Sequence, residues 1–220
     1  MKMIFLAAMA LVAGGAQAAT RYEVDPAHSH ASFSIRHMMV TNVRGEFGGV
    51  TGEVMLDDKD PAKSTVKATI DVKTLSTGQE KRDGHLKSPD FFDVEKFPTM
   101  TFESTKVSKG AKKGSWKVEG NLTMHGTTKP VTLDVEELTE PMKNPMMGGV
   151  MERGASASTT ISRKDFGMTW AGPALEKGGV VLGDEVKVNI DVELAEKPAA
   201  APGAPAKPEA KPGEKAAPKK

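Results

Sequence analysis

Apolar and polar residues alternate through most of the chain between residues 21 and 194. A period of two places successive side chains on opposite faces of a β-strand, so this alternation predicts half-buried strands. The clearest example lies near the end of the region, where Val186, Val188 and Ile190 alternate with polar residues. We predict strands at 22–24, 29–38, 44–56, 64–72, 100–107, 116–124, 131–135, 151–161 and 186–194.

Turn signals separate these strands, which is typical of an all-β sandwich or barrel. The predicted strand at 44–56 contains Gly45, Gly48, Gly49 and Gly52. Glycine within a strand often marks a bulge or a bend that closes a barrel, and closure removes the exposed edges of an open sheet. We therefore predict an all-β fold, an antiparallel barrel of about eight strands. Its interior is either filled by side chains or holds one small ligand.

One segment, 79–104, interrupts the strand pattern. Residues 82–87 are mostly polar and predict a short helix, which Pro89 ends because the residue before a proline is pushed out of the helical conformation. The segment also holds four phenylalanines, Phe91, Phe92, Phe97 and Phe102. A helix and several large rings between two strands predict a cap over one end of the barrel. The alternative is that these rings are ordinary core residues.

The two ends of the chain differ from the folded middle. Lys2, the short apolar run 3–12 and the small residues Ala16 and Ala18 are typical of a secretory signal peptide. We predict a signal peptide at 1–18 and a periplasmic mature protein, with a retained membrane anchor as the alternative. A folded domain at 19–195 and a disordered tail at 196–220 follow, because the tail is almost wholly Ala, Pro, Lys, Glu and Gly.

The composition excludes several classes of function. The formal net charge is +1, so electrostatics gives no reason to expect nucleic acid as a partner. The chain has no cysteine, which excludes disulfides, cysteine nucleophiles and thiolate metal sites.

The histidines do not form a recognisable metal motif. His28 and His30 share one face of a predicted strand, but a zinc or copper site needs at least one further ligand, and His85 and His125 lie in distant turns. Serine-hydrolase and phosphate-loop motifs are absent as well. We therefore predict no metal, no cofactor and no catalytic residue.

Several motifs follow one another in a fixed order. The longest is R-D-x-H-L-K-S-x-D-F-F-D-x-x-x-F-P-x-x-T-F-x-S at 82–104. It is preceded by DPAHS at 25–29, FSIRH at 33–37 and VRGEF at 43–47, and followed by GNLTMHGTTKPV at 120–131, RKDFG at 163–167 and VLGDEV at 181–186. Together these motifs resemble the signature of the YceI-like family of periplasmic lipid-binding proteins, over about residues 20–194.

This resemblance implies an extended, lipocalin-like barrel whose interior is a long apolar tunnel. The apolar candidates for ligand binding are Phe33, Ile35, Phe91, Phe92, Phe102, Leu122, Leu133, Phe166, Trp170 and Ile190. The polar candidates for fixing a head group are His37, Asp83, His85 and Arg163. Hydrogen bonding within the protein is the alternative role for these polar residues.

The first functional hypothesis is a non-enzymatic carrier of a long-chain amphiphile, for which the resemblance implies a polyisoprenoid or a fatty-acid-like chain. Two alternatives stay open: an enzyme acting on a prenyl or acyl ester in the same cavity, and a stress-response module that binds other envelope proteins. Contact with a membrane is expected to be peripheral at most, and a homodimer is left open.

Overall fold

The computed structural model describes residues 19–176 and 178–197. The predicted signal peptide and the predicted tail from residue 198 onward lie outside these residues. Within the described part of the chain, no helix has the length and the apolar character needed to cross a membrane.

The described residues form eleven strands and one α-helix. The strands are β1 (Thr20–Val24), β2 (His30–His37), β3 (Thr41–Gly48), β4 (Thr51–Leu56), β5 (Thr65–Asp71), β6 (Thr99–Lys109), β7 (Trp116–Met124), β8 (Thr127–Leu138), β9 (Met142–Lys143), β10 (Met151–Ser162) and β11 (Leu182–Lys197). The helix, α1, is Glu80–Lys87, and short 3-10 turns lie at Pro61–Lys63, Val72–Thr74 and Arg163–Phe166.

Eight of these strands close into an antiparallel barrel, as predicted. Their order around the ring is β1, β4, β5, β6, β7, β8, β10 and β11, and β11 pairs with β1 to close it. The long strand β11 pairs with β2 along its first part and with β1 along its last. As a result, β2 and β3 continue the wall of the barrel beyond β1 and β4.

Several boundaries differ from the sequence-based prediction, and three of the differences change how the chain is divided. The predicted strand at 44–56 is two strands, β3 and β4, because Gly49 has a φ of 65° and turns the chain out of the extended conformation between them. The residues between β8 and β10, for which no strand was predicted, contain the short strand β9, which pairs with Met151 and Glu152. Finally, β11 continues to Lys197, so the predicted domain end at residue 195 falls inside a strand.

Most of the buried apolar residues lie on the strands or in the segments that cover the helix end of the barrel. They form three clusters in the described chain, one beneath α1 around Phe47 and Phe166, one around Tyr22 and Leu194, and one around Val118. A domain of this size normally has one contiguous core. The clusters here are separate because the centre of the barrel is a cavity.

Candidate functional site: an apolar cavity

The barrel encloses a cavity of about 830 Å³. Every second residue along the strands faces inward and lines the cavity, for example Phe33 and Ile35 on β2 and Val188 and Ile190 on β11. On β10 the inward-facing residues include Ala155 and Ala157, whose small side chains leave the interior open. This volume lies within the range of about 300–1,000 Å³ that is typical of ligand pockets.

The cavity has two chemically different ends. At the helix end it is bounded by α1, by His37 and Thr41 on either side of the turn at 38–40, and by Met168 and Trp170. At the opposite end, which we name the Asp58 end, the loops at 57–64, 110–115 and 139–150 come together. Because both ends carry charged or polar side chains and the middle is almost wholly apolar, the cavity suits a molecule with a long apolar part.

Aromatic rings dominate the helix end. The ring of Phe91 lies 5.3 Å from that of Trp170, and both contact His85, at 5.0 and 5.3 Å between centroids. Phe92 points away from this group and contacts Phe47 at 5.5 Å. The adjacent rings of Phe91 and Phe92 therefore join two different parts of the cavity wall, as a cap requires.

The helix α1 contains no fully buried residue, and polar contacts add to the packing of Leu86 in holding it in place. Asp83 accepts hydrogen bonds from the backbone N–H and the hydroxyl group of Thr77. Arg82 donates from Nε to the Thr77 hydroxyl at 2.8 Å and from Nη2 to the Thr77 carbonyl at 3.0 Å. Asp83 is thus a structural anchor and does not line the cavity, in contrast to its predicted role at the head group.

Arg163 lies at the helix end and is only 3% exposed. Its Nε donates to the carbonyl of Gly183 at 2.8 Å, Nη1 donates to the carbonyl of Met168 at 2.6 Å, and Nη2 pairs with Asp184 at 3.1 Å. Burial lowers the pKa of this guanidinium from its ordinary value, and the charge of Asp184 opposes that effect. Arg163 touches the cavity, but its donors are already committed to the protein.

The structure brings most of the predicted ligand-binding residues to the cavity wall. Those that line it are Phe33, Ile35, His37, His85, Phe91, Phe92, Phe102, Leu122, Leu133, Arg163, Trp170 and Ile190. Phe166 does not line it: its side chain is 1% exposed and packs in the cluster beneath α1, and its carbonyl accepts a hydrogen bond from Nδ1 of His125 at 3.0 Å. Phe166 is therefore a core residue that supports the end of the barrel.

Sequence reasoning missed the lining residues at the Asp58 end. Arg153 is 7% exposed, lines the cavity and donates from Nη1 to Asp58 at 2.8 Å. In the sequence, Glu152 and Arg153 resemble ordinary surface charges at the start of a strand. Only the closure of β10 against β11, which places Arg153 opposite Leu194, shows that the arginine is buried.

The histidines are separated by the fold. His28 lies in the turn before β2, and its Nδ1 is 2.7 Å from Asp25 and 3.7 Å from Glu193. The hydrogen bond to Asp25 raises the pKa of His28, and the charge of Glu193 adds to this effect. These three side chains lie close enough together to hold a metal ion, but His28 is exposed and His30 faces Asp191 instead. The pairing with Asp25 is sufficient to explain the position of the His28 ring.

Comparison with known proteins agrees with this architecture. A sequence model of the YceI-like domain matches residues 22–194. The UPF0312 protein SA2479 of Staphylococcus aureus (strain N315) is 38% identical over 176 residues, which are 80% of this chain and 98% of the relative.

Solved structures share the fold. BcnA of Burkholderia cenocepacia has a TM-score of 0.62 at 25% identity, over 77% of this chain and 98% of its own. The YCEI protein of Campylobacter jejuni has a TM-score of 0.59 at 29% identity, over 74% of this chain and 90% of its own. A polyisoprenoid binding domain from Saccharophagus degradans has a TM-score of 0.56 and covers 82% of this chain and 100% of its own, at 14% identity, which shows the fold alone. With the family match over residues 22–194, these likenesses establish that the chain belongs to the YceI-like domain family.

Proposed function

We propose that this protein is an exported, periplasmic binding protein that carries a long-chain amphiphile, isoprenoid or fatty-acid-like, inside its barrel. The observation that carries the proposal is the apolar cavity of about 830 Å³ running between two polar ends. Family membership and the shared fold with a domain described as polyisoprenoid-binding support the same class of ligand.

The energetics of such a cavity favour an apolar chain. Side chains that face empty space lose the van der Waals contacts that a packed core would give them. A hydrocarbon chain restores those contacts, and each methylene group removed from water contributes about 0.8 kcal/mol. A long chain is therefore held firmly without any directional bond, and the protein tolerates some variation in chain length.

The arrangement of side chains favours binding over catalysis. Within residues 19–176 and 178–197, no hydrogen bond joins a serine or threonine hydroxyl to a histidine ring, which is the pairing that activates a hydroxyl nucleophile. His85, the histidine closest to the aromatic cluster, pairs with Asp90 at 2.8 Å. We therefore propose transport or storage of the lipid rather than its chemical conversion.

The helix end also offers a surface for contact with a membrane. Met38, Met39 and Val40 form the turn between β2 and β3, and their side chains are exposed. The residues on either side of this turn, His37 and Thr41, line the cavity. We propose that this turn inserts into the lipid surface when the protein takes up or delivers its ligand.

Native mass spectrometry of protein purified from its own cells tests the proposal. We expect a bound lipid in the wild type and its loss in Ile35→Trp, because the larger ring fills the cavity. The matched control is Ser34→Trp, which places the same ring on the same strand outside the cavity lining. Lipid-free wild-type protein that also gains no thermal stability from added isoprenoids would contradict the proposal.

A further inference from the structure

Two buried arginines lie at opposite ends of the cavity and differ in their hydrogen bonding. At the helix end, each nitrogen of Arg163 donates to a carbonyl or carboxylate group of the protein. At the Asp58 end, the guanidinium of Arg153 donates to Asp58 from Nη1 only. Its Nε is buried and has no hydrogen-bond partner among the described residues.

A largely buried guanidinium with unused donors is costly, because the protein replaces only part of the hydration that its N–H groups lose. Removing both the charge and the donors by an apolar side chain would avoid this cost at a wall that is otherwise apolar. Nη2 of Arg153 makes no hydrogen bond to the described residues and, unlike Nε, is not fully buried, so it is the donor open to a partner in the cavity.

The charges around Arg153 indicate which chemistry fits. Asp58 already pairs with the guanidinium, and Glu140 lies on the same end of the cavity. The charges of Arg153 and Asp58 also act on the nearby phenol of Tyr22. Burial raises the pKa of this phenol, so it is neutral at physiological pH. A second anion would meet two carboxylates here, whereas a neutral oxygen would use the free donors without that repulsion.

We infer that Arg153 forms a binding site for the polar end of the ligand, and that this end carries a neutral hydrogen-bond acceptor such as a hydroxyl or carbonyl oxygen. The inference rests on the proposed lipid-binding function and adds an orientation: the oxygen lies at the Asp58 end and the hydrocarbon chain extends toward α1. Arg163 at the helix end positions the protein's own carbonyl groups and does not bind the ligand's head.

The test uses geranylgeraniol, geranylgeranyl phosphate and the hydrocarbon that lacks only the hydroxyl group, with dissociation constants measured for each. In the wild type we expect geranylgeraniol to bind about tenfold more tightly than the hydrocarbon, which is the contribution of a hydrogen bond to a charged group. Arg153→Met should remove this difference and leave hydrocarbon binding unchanged. Arg44→Met is the matched control, because Arg44 is exposed on β3 and lies outside the cavity lining, and it should retain the difference.

Asp58→Asn provides a second, independent variant in case Arg153→Met does not fold. Removing this carboxylate should increase the affinity for geranylgeranyl phosphate several-fold relative to geranylgeraniol, because the anion then meets an arginine without its competing charge. An unchanged ratio, or loss of the hydroxyl preference in Arg44→Met instead of Arg153→Met, overturns the inference while the carrier function stands. Wild-type protein that binds none of the three probes overturns both.

Discussion

The ring of Phe33 lies directly over Gly45 on the neighbouring strand. The two residues are opposite each other in the pairing of β2 with β3, and a Cβ atom at Gly45 would lie 2.5 Å from Cζ of Phe33 and 2.8 Å from Cγ2 of Thr77. The ring of Phe102 also lies against Gly120 on β7, although the strand pairing places Gly120 opposite Ser104. In both cases the glycine lets a large ring lie flat against the wall, so the ring lines the cavity without filling it.

The first prediction is that Gly45→Ala narrows the cavity. Since Arg82 and Asp83 hold Thr77 in place, the ring of Phe33 has to move, and the open direction is inward. We expect lower occupancy by long-chain lipid and a loss of about 1–3 kcal/mol in stability. Mass spectrometry and thermal unfolding measure the two effects. Gly48→Ala on the same strand has nothing within 4 Å of its added Cβ and should change neither, and equal lipid occupancy in both variants would contradict the idea.

The second prediction concerns Arg163. Arg163→Met leaves the carbonyls of Gly183 and Met168 without their buried donor, so we expect a loss of about 1–3 kcal/mol in the free energy of unfolding, measured with urea. Lys164→Met is the control: its exposed pair with Asp184, 2.9 Å long, should contribute less than about 1 kcal/mol. Similar losses in the two variants would show that the buried bonds of Arg163 add little.

The third prediction is a pH-dependent contribution from the pair formed by His28 and Asp25. The pKa of His28 is raised above its ordinary value of 6.5, so its contribution is complete below that value and is lost as the pH rises through the raised pKa. The pKa of Asp25 is lowered, by the backbone N–H of Ala27 and then by His28, so its contribution is lost only as the pH falls through that lowered value.

His28→Gln should therefore reduce the melting temperature at about pH 5, where the imidazole is charged, and have little effect near pH 9, where it is neutral. Scans of the wild type and the variant at both pH values measure the difference. His30→Gln serves as the control, because the His30 ring nitrogen is 3.8 Å from Asp191 and outside hydrogen-bond distance. A difference that grows with pH would have the wrong sign for this pair.

The fourth prediction compares how much the last residues of β11 and the tail beyond them contribute to stability. Deleting residues 198–220 should leave the melting temperature unchanged, because their composition gives them little to bury. Deleting 196–220 also removes Glu196 and Lys197, which pair with Tyr22 and Arg21. We expect the loss of these two strand pairs to lower the melting temperature by about 2–4 °C for each kcal/mol that they contribute to the free energy of unfolding. Equal melting temperatures for the two truncations would mean that the last pairs of β11 are dispensable.

The strands and the inward-facing residues could be predicted from the sequence, because residues that recur at every second position lie on the same face of a strand. Phe33, Ile35 and Ile190 line the cavity for this reason. Periodicity does not report whether the inside of a barrel is filled, and the expectation of a tunnel came only from the resemblance. The turn at Gly49, which divides β3 from β4, was not predicted because glycine occurs in bulges and bends as well as in turns.

The polar residues were harder to assign. Asp83 and Arg163 were expected to meet a ligand, yet Asp83 binds Thr77 and Arg163 binds the carbonyls of its own chain. Arg153 was not considered at all. Whether a charged residue serves the fold or a ligand depends on which donors remain free after the chain has closed, and that property arises only from contacts between residues far apart in sequence.

The position of β11 has a consequence for how the molecule comes to be folded. This strand is the last to be synthesised, and it pairs with β1, β2 and β10, so Arg21 meets Lys197 only when nearly the whole domain is available. Contacts between such distant residues make folding slow, since the entropy of closing a long loop is lost before the pairing compensates for it. Until β11 is in place, β1, β2 and β10 expose unpaired edges to other chains. A ribosome stalled before residue 182 would therefore carry an open sheet prone to aggregation, with no enclosed space in which a lipid could be held.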